Sequence, residues 1–373
     1  MLNSRCFIYD AGLALIAFTI SGDHDLCREM MNRLRTEQNE DGSFNFSYDN
    51  YIGQLFEGYV RTGSMGWLVH GMCYYTLKTG DTQYLDVIRK AGDWFLTRQV
   101  TNESDKRYGL LTGGYGSYNM GDYGYIEGEI EWCSTEHNCS SLQALFGLSQ
   151  VLGDTKYRKA AELVKQALFK TLYDAENARF YQGVSTSGVD GAWAVDCCTW
   201  AGKTLMSVFE AQYSRAVAAS VDAVYVTTDK SIVVSSEKEH YNTRYSGTTV
   251  SGVKPYAAGY NDPPDIVWSE GTLGYVSLLR ALGDHEKANY YLNETMKLQY
   301  CENSTGGILY VTETWASLPW EFHAWESVVS SAWLYILLKD PNALFPLTLK
   351  PLSPLVVCRN PKGRGYAKAC PIR

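Results

Sequence analysis

Apolar residues recur at steps of three and four along most of the chain, a spacing that places them on one face of an α-helix. Residues 12–18 and 25–36 form the first pair of such segments, and 325–338 form a last, single segment. Four more pairs lie between them: 65–78 with 82–97, 140–151 with 156–173, 199–211 with 215–226, and 272–282 with 286–299. The pattern therefore predicts five helical hairpins and one further helix.

A Gly-Asp dipeptide separates the two helices in four of the five hairpins, at Gly22-Asp23, Gly80-Asp81, Gly153-Asp154 and Gly283-Asp284. Glycine tolerates the left-handed conformation that ends a helix, and aspartate can cap the helix that follows. A repeated helix–turn–helix unit predicts an array or a closed ring. Because no linker interrupts the first 340 residues, we expect one toroid domain over 1–345 and a Pro-rich tail over 346–373.

Long loops alternate with these short turns, at 39–65, 102–135, 176–195 and 227–267. If the short turns lie on one face of a ring, the long loops lie on the other, where functional sites tend to be built. The run 231–235 is strand-like, so we expect a small β-hairpin in the last loop. The helix count is one short of an all-α, (α/α)6 toroid; the missing helix lies upstream of Met1 or is replaced by the tail.

Acidic residues accompany aromatic residues where the long loops lead into helices. Tyr9 and Asp10 precede the first helix, Trp132 and Glu136 the third hairpin, Trp193, Asp196 and Trp200 the fourth, Trp268 and Glu270 the fifth, and Trp320, Glu321 and His323 the last helix. An acid in a first helical turn also suits the helix dipole and the unpaired N–H groups, so each one alone could be a cap. A cap needs no neighbouring indole, so the repeated pairing indicates one shared, acidic mouth.

Glycoside hydrolysis uses a protonated carboxyl group that donates to the leaving oxygen and an ionised one that activates water or attacks the anomeric carbon. We expect Glu136 to be the acid, with His137 and Asn138 orienting substrate hydroxyls. Asp10, Asp196 and Glu270 are candidates for the base or for binding sugar hydroxyls. The expected further substrate contacts are Tyr9, Trp132, Trp193, Trp200, Trp268, Trp320, Glu321 and His323. His137 and His323 could equally be core histidines.

Composition favours a carbohydrate as the partner. The chain has 28 tyrosines, 10 tryptophans and 12 phenylalanines, and rings with polar tips suit the apolar faces and hydroxyl fringe of sugars. A net charge of −8 without a basic stripe argues against nucleic acid. No apolar run approaches the roughly 20 residues that span a bilayer, so we expect no membrane partner. The oligomeric state stays open.

Cysteine usage and the start of the chain bear on cofactors and location. The ten cysteines are scattered and include no CxxC pair, so we expect buried thiols, with neither a metal site nor a cofactor. The apolar segment 11–20 lacks a cleavage-site pattern, which favours a cytoplasmic location. A secreted protein whose leader lies upstream of Met1 is the alternative.

With these residues the chain resembles the six-hairpin glycosidase superfamily, and within it a bacterial glycoside hydrolase-like group. The shared features are Tyr9-Asp10 before an Ala/Leu-rich helix, the Ser-Thr-Glu-His-Asn box at 134–138, the Trp-Ser-Glu-Gly-Thr box at 268–272, and an Ala-Trp helix within 320–333. The resemblance covers 8–346 and implies a glycoside hydrolase-like protein that acts on an oligo- or polysaccharide through carboxylate acid/base catalysis. Two features depart from it: the first helix of the ring is absent, and Cys197-Cys198 follow Asp196 where polar residues are expected.

Several alternatives stay open, since the superfamily also holds lyases, phosphorylases and epimerases. A sugar epimerase on the same fold would use two histidines as acid and base, and His137 with His323 is the obvious pair. A toroid that binds carbohydrate without turnover is another alternative. A terpene cyclase would need a DxDD or DDxxD string, which the sequence lacks. A lanthionine-type cyclase would need a Cys/Cys/His zinc set, which the adjacent cysteine pair does not supply.

Overall fold

Six helices form an inner ring in the computed structural model, which describes residues 5–49, 55–118, 124–207, 211–233, 247–259, 265–299, 306–317 and 320–346. They are α1 (Ile8–Ser21), α3 (Thr62–Thr79), α5 (Thr135–Leu152), α7 (Val195–Thr204), α9 (Ser269–Leu282) and α11 (Val328–Lys339). Each packs against the next, and α11 packs against α1, so the ring is closed. Helices such as α3 are buried around most of their circumference, as expected where a helix has neighbours on both sides.

Five outer helices carry the chain back after the first five inner ones. They are α2 (His24–Glu37), α4 (Leu85–Arg98), α6 (Thr155–Leu172), α8 (Ala211–Val224) and α10 (His285–Met296). The predicted all-α toroid of five hairpins and one helix is confirmed. The described helices number eleven, one short of an (α/α)6 toroid as expected, and the inner ring of six is complete. Within the described residues, what α11 lacks is an outer partner. The proposed tail lies, from residue 347 onward, outside the described residues.

The Gly-Asp turns connect inner to outer helices as expected. Gly22, Gly80, Gly153 and Gly283 end α1, α3, α5 and α9 in the left-handed conformation, with φ between 64° and 88°. Asp154 and Asp284 then cap α6 and α10, because each side chain accepts a hydrogen bond from a backbone N–H of the next helix. At Asp23 and Asp81 the following helix has no such side-chain cap.

Short antiparallel strands decorate the end of the ring where the inner helices begin. Among the described residues they form seven sheets. Three sheets have three strands each: β1 (Arg5–Phe7), β2 (Ser47–Asp49) and β3 (Leu55–Glu57); β4 (Val60–Arg61), β5 (Gly114–Tyr118) and β6 (Tyr125–Ile130); and β7 (Cys133–Ser134), β10 (Gly183–Val184) and β11 (Val189–Asp190). Four sheets have two strands each: β8 (Tyr173–Asp174) and β9 (Arg179–Phe180); β12 (Val226–Ser231) and β13 (Thr249–Val253); β14 (Ile308–Leu309) and β17 (Glu326–Ser327); and β15 (Trp315–Ser317) and β16 (Trp320–Phe322). Strands β1, β4, β7 and β17 each lead directly into an inner helix, so the sheets surround one mouth.

The β-hairpin expected in the fourth long loop is present. Its first strand is β12, which pairs with β13 and begins earlier than the strand-like run 231–235. Residues 234 and 235 lie outside the described residues. The strand starts at Val226 because the Tyr225 carbonyl accepts from the Lys254 N–H, which draws the chain leaving α8 into the hairpin.

Aromatic side chains fill the centre of the ring. Trp67, Trp200 and Trp333 project from three different inner helices, and Trp200 stacks on Trp333 with ring centroids 5.8 Å apart. Phe345, from the segment after α11, packs on Trp200 at 5.2 Å. Such ring pairs add about 0.5–1.5 kcal/mol each beyond the area they bury. The cluster closes the ring below the mouth.

Residues 340–345 seal the opposite end of the ring. The Ala343 carbonyl lies 2.7 Å from His70 Nε2, and the buried Lys203 Nζ donates to the Leu344 carbonyl at 2.7 Å. The Phe345 N–H donates to Gln143 Oε1 at 2.9 Å.

Candidate active site

The four candidate carboxylates lie in the first turns of four inner helices. Asp10 is the third residue of α1, and Glu136, Asp196 and Glu270 are the second residues of α5, α7 and α9. Their charges act on one another: Asp196 and Glu270 raise the pKa of Glu136, and Asp196 and Asp10 raise the pKa of Glu270. The mouth therefore holds one cluster of interacting acids.

Water reaches most of this cluster. The side chains of Asp10, Glu136 and Asp196 are only partly buried, whereas Glu270 is 4% exposed. Burial is nevertheless the largest influence on all four acids, and it raises each pKa because a charged carboxylate loses hydration there. For Asp10 burial alone raises the pKa to about 7. Three of the acids are thus partly exposed to solvent, yet all four are poorly hydrated.

Glu136 and Asp196 differ in how strongly they hold a proton. Burial raises the pKa of Glu136 well above its usual value, and the charges of Asp196 and Glu270 raise it further. Burial raises the pKa of Asp196 to about 6, against the lowering effect of the Cys197 N–H, which donates to Asp196 Oδ1 at 2.8 Å. Two acids whose environments separate their pKa values can act as a proton donor and an ionised partner.

Glu136 is not the cap of its helix. Ser134 holds that position, and its Oγ accepts the His137 N–H at 3.3 Å. The carboxyl of Glu136 is therefore not needed to satisfy the first turn of α5, which removes the simplest structural explanation for an acid at this position.

Glu270 is held by two phenols. Tyr9 donates to one carboxylate oxygen, and Tyr310 donates to the other at 3.2 Å. Trp333 Nε1 in turn donates to the Tyr9 hydroxyl at 3.1 Å. Burial raises the pKa of Glu270 to about 8, while the two phenol hydrogen bonds oppose that rise. Both oxygens are occupied, so Glu270 is better suited to positioning and electrostatics than to proton transfer.

His137 borders the acids as a neutral imidazole. Burial lowers its pKa to about 3, and the charge of Arg61 lowers it further. Gly63 packs directly on the ring, since a Cβ there would lie 2.3 Å from His137 Cδ2. Trp132 meets the other side of the imidazole edge-on, with ring centroids 6.3 Å apart. His137 is therefore fixed in place and carries no charge at neutral pH.

Three expected substrate contacts are buried among protein groups. Asn138 is 0% exposed, and its amide bonds the Leu111 N–H and carbonyl and the Ser134 carbonyl at 2.8–3.0 Å. Trp200 is 2% exposed in the central aromatic cluster, and Trp268 is 6% exposed. The structure places these side chains in the core beside the mouth. The expectation that they contact substrate is therefore corrected: they support the residues that line the mouth.

Two further expected contacts, Trp193 and His323, are partly exposed. Trp193 is partly buried, with the Arg179 guanidinium 3.7 Å from its ring centroid. His323 is stacked on Trp325, with centroids 4.1 Å apart. Trp320 and Glu321 form part of β16, and their side chains lie outside the described part of the chain.

A stack of aromatic rings beside Glu270 was not expected from sequence. Phe322 stacks on Tyr310 at 5.6 Å and on Trp315 at 5.5 Å between ring centroids. Tyr310 and Trp315 are partly exposed, and Trp268 packs edge-on against both Tyr310 and Phe322. The only sequence signal for these residues was their place in an aromatic-rich segment before the last helix.

Among the described residues no group of three or more His, Cys, Asp and Glu side chains is arranged to hold a metal ion. Cys197 and Cys198, which depart from the family pattern, are buried, and burial raises the pKa of both thiols. Six buried cysteines are free thiols, as expected: Cys27, Cys73, Cys133, Cys139, Cys197 and Cys198.

Several solved structures share this arrangement of helices. An α-mannanase of glycoside hydrolase family 76 from Bacteroides thetaiotaomicron is 13% identical, with a TM-score of 0.55 over 91% of this chain and 86% of that chain. A sugar epimerase from a ruminal bacterium is 10% identical, with a TM-score of 0.60 over 90% of this chain and 88% of that chain. A D-mannose isomerase is 10% identical, with a TM-score of 0.58 over 90% and 88%.

The chain shares the (α/α)6 toroid fold of these structures. No protein-family model matches the sequence, and no curated protein matches it. The structures that share the six-hairpin fold include both glycoside hydrolases and sugar epimerases, so the similarity concerns the fold. In the described part of the chain, none of the helices has the length and apolar character needed to cross a bilayer.

Proposed function

We propose that the protein is a glycoside hydrolase that cleaves an oligo- or polysaccharide by carboxylate acid/base catalysis. The observation that carries the proposal is the pair Glu136 and Asp196 in the first turns of neighbouring inner helices: burial raises both pKa values, and the charge of Asp196 raises that of Glu136 further. Hydrolysis of a glycosidic bond needs one carboxyl group in each protonation state.

In this mechanism Glu136 donates its proton to the leaving oxygen. Asp196, which the Cys197 N–H helps to keep ionised, activates water or attacks the anomeric carbon. Glu270, held by Tyr9 and Tyr310, has a fixed position beside Glu136, and where it ionises its charge raises the pKa of Glu136 further. Asp10 is positioned to bind sugar hydroxyls at the edge of the same cluster.

The test combines a glycan screen with a matched pair of variants. The wild-type protein is incubated with a panel of oligo- and polysaccharides, and new reducing ends are measured. Glu136→Gln should lower the rate on any active glycan by about 100- to 10,000-fold, the usual contribution of a general acid. Glu286→Gln is the control, because Glu286 is also the second residue of its helix, α10, but is exposed on the outer layer.

Activity that survives in Glu136→Gln would contradict the assignment of the acid. If no glycan in the panel yields reducing ends while Glu136→Gln and the wild-type protein bind the same oligosaccharide equally, the toroid is a binding protein without turnover.

A sugar epimerase is the second candidate, since such enzymes share the fold. It would need two histidines that exchange protons near neutral pH. The pKa of His137 is lowered to about 3, which makes its imidazole a weak base, and this observation favours the carboxylate mechanism. Epimerisation of a sugar without release of reducing ends, abolished by His137→Ala, would reverse that preference.

A further inference from the structure

Arg61 is a cation at the mouth that lacks a carboxylate partner. It is the residue before α3, and its side chain is partly buried. Among the described residues no carboxylate charge acts on its guanidinium; only the phenols of Tyr59 and Tyr125 do. The more deeply buried Arg107 and Arg179 each pair with an aspartate, at 2.7 and 3.0 Å. Because a charge that loses hydration is costly unless it is paired, the Arg61 guanidinium suits an anionic partner from outside the chain.

The guanidinium of Arg61 is fixed in place, yet one of its edges is unused. Its Cζ lies 4.0 Å from the ring centroid of Tyr59, and Nη1 donates to the Gly116 carbonyl at 2.6 Å and to the Val60 carbonyl at 3.3 Å. Nε and Nη2 donate to no group in the described part of the chain. The N–H groups of Nε and Nη2 form one planar fork, which matches the two oxygens of a carboxylate.

Tyr125 supplies a second donor close to this guanidinium. Its side chain is 43% exposed, and its hydroxyl lies against Gly116, since a Cβ on that glycine would lie 2.3 Å from Tyr125 Oη. The charge of Arg61 acts on the same phenol. Within the described residues the Tyr125 hydroxyl makes no hydrogen bond. A phenol and a guanidinium edge, both with unused N–H or O–H groups, thus lie beside one glycine.

The acids on strand β6 leave Arg61 unpaired. Glu127, Glu129 and Glu131 are exposed on or beside this strand, yet none of their charges acts on the Arg61 guanidinium. Glu129 pairs instead with Arg98. No described carboxylate therefore competes with an anionic ligand for Arg61.

Arg61 adjoins the candidate catalytic acids without joining them. Gly63, two residues further along, packs on the His137 ring, and the charge of Arg61 acts on His137, the neighbour of Glu136. The charge of Arg61 is not among those that act on Glu136 itself. An anion bound to Arg61 thus lies beside the bond to be broken rather than on it.

We propose that Arg61, together with the Tyr125 hydroxyl, binds the carboxylate of an acidic sugar unit, so that the substrate is a glycan that contains uronate. Nε and Nη2 of Arg61 donate to the two carboxylate oxygens, while Tyr59 stays stacked on the guanidinium. The inference rests on the proposed function in taking a carbohydrate as the ligand. It adds the chemical class of the sugar unit that lies beside the acids and makes Arg61 the residue that determines specificity for it.

Isothermal titration calorimetry with paired oligosaccharides tests the site. The probes are oligogalacturonate, oligomannuronate and glucuronoxylan oligosaccharides, each compared with the same oligosaccharide after its carboxyl groups have been reduced to alcohols. We expect at least one uronate probe to bind the wild-type protein about tenfold more tightly than its reduced counterpart, because only the carboxylate accepts charge-assisted hydrogen bonds from both oxygens. A sulfated probe, κ-carrageenan oligosaccharide, distinguishes a carboxylate from another anion.

Substitutions of Arg61 and Tyr125 connect this preference to the site. Arg61→Met should lower the affinity for the uronate probe about 10- to 100-fold and leave the affinity for the reduced probe unchanged. Arg61→Lys should recover only part of the loss, because an ammonium group has no planar fork. Tyr125→Phe should weaken binding of the uronate probe about threefold to tenfold, since one hydrogen bond is lost.

Arg280→Met is the matched control. The Arg280 side chain is also partly buried and donates from Nη1 to the Leu337 carbonyl at 2.6 Å, but it lies in the last turn of α9, at the end of the ring opposite the mouth. This variant should bind both members of each probe pair as the wild type does, and circular dichroism should show that all variants are folded.

Three results would overturn the site. The first is that no uronate probe binds more tightly than its reduced counterpart, a comparison that needs only the wild-type protein. The second is that Arg61→Met weakens binding of both members of a pair equally, which would show that Arg61 only supports the structure. The third is that the sulfated probe binds and the uronate probes do not.

Glu136→Gln separates this inference from the proposed reaction. It should prefer the uronate probe as strongly as the wild type does, since Arg61 acts apart from Glu136. An Arg61-dependent preference for uronate, without release of reducing ends by the wild type, would reject the hydrolase and keep the site. Hydrolysis of neutral glycans without any preference for the uronate probes would keep the hydrolase and reject the site.

Discussion

Replacing Asp10 by asparagine should stabilise the protein, and more so as the pH rises. Burial raises the pKa of Asp10 from 3.8 to about 7. Between these values the folded chain holds a proton that the unfolded chain has released, so stability falls as the pH rises through this window and levels off above it. The asparagine side chain of the variant cannot ionise, so the loss of stability that Asp10 causes as the pH rises should disappear.

The size of the effect follows from the two pKa values. A difference of one pH unit corresponds to 1.36 kcal/mol, so a shift from 3.8 to about 7 corresponds to roughly 4 kcal/mol. Asp10 is only partly buried, and solvent screening reduces the figure, so we expect about 2 kcal/mol. Asp10→Asn should match the wild type near pH 4 and exceed its free energy of unfolding by that amount at pH 8.

Urea unfolding followed by tryptophan fluorescence, repeated from pH 4 to pH 8.5, measures this difference. Asp25→Asn is the control, because Asp25 is an exposed aspartate in the first turn of the outer helix α2; it should show no gain that grows with pH. The free energies of unfolding of Asp10→Asn and the wild type are compared at each pH. A difference that stays constant over this range would refute a desolvated acid at the mouth, and so would a variant that becomes less stable than the wild type at high pH.

Two further substitutions test the support of the site. Asn138→Ala should lower the free energy of unfolding by about 2–4 kcal/mol, because buried backbone groups of Leu111 and Ser134 lose their hydrogen-bond partner. The folded fraction of this variant should keep its activity. A variant that is stable but inactive would contradict a supporting role for Asn138. Tyr9→Phe should lower the free energy of unfolding by about 1–3 kcal/mol, because Trp333 Nε1 and Glu270 both lose a hydrogen bond. Thermal unfolding measures this loss, and an unchanged melting temperature would show that the two hydrogen bonds do not form.

The helices could be predicted because their signals are local. Amphipathic spacing and glycine stops act within a few residues, and they located all five hairpins. The starts of the inner helices were less accurate: the first five begin three to five residues earlier than predicted, and α11 begins three residues later. Helix α7 begins at Val195 rather than at 199, where the bridge between Ala194 and Tyr256 ends. Helix α11 begins at Val328 rather than at 325, because β17 pairs with β14. These pairings join segments far apart in sequence, which a local pattern does not reveal.

The acidic mouth was predictable for a topological reason. Each outer helix returns the chain, so all inner helices start at the same end, and acids in their first turns must meet there. The orientation of their neighbours was harder to infer. Asn138 follows Glu136 by two residues, which turns it about 200° around the helix and into the core. Trp200 follows Asp196 by four residues, so it lies on the same side but one turn deeper, at the ring centre.

The partners of Glu270 show what sequence reasoning could not reach. Tyr9 and Tyr310 lie 261 and 40 residues away from it along the chain. Trp333, which completes the network, is separated from Tyr9 by 324 residues. Closure of the ring between α11 and α1 brings these side chains together, so only the folded structure identifies them.

The most direct test of the interacting acids at the mouth is a titration of Glu136 by NMR. With ¹³C-labelled glutamate carboxyl groups and the Glu136 signal assigned by its loss in Glu136→Gln, the pH at which Glu136 ionises is measured in the wild type and in Asp196→Asn. The account predicts a wild-type pKa well above that of an ordinary glutamate and a clear fall in Asp196→Asn, since the repelling charge is gone. A Glu136 pKa in the ordinary range, or one that Asp196→Asn leaves unchanged, would contradict it.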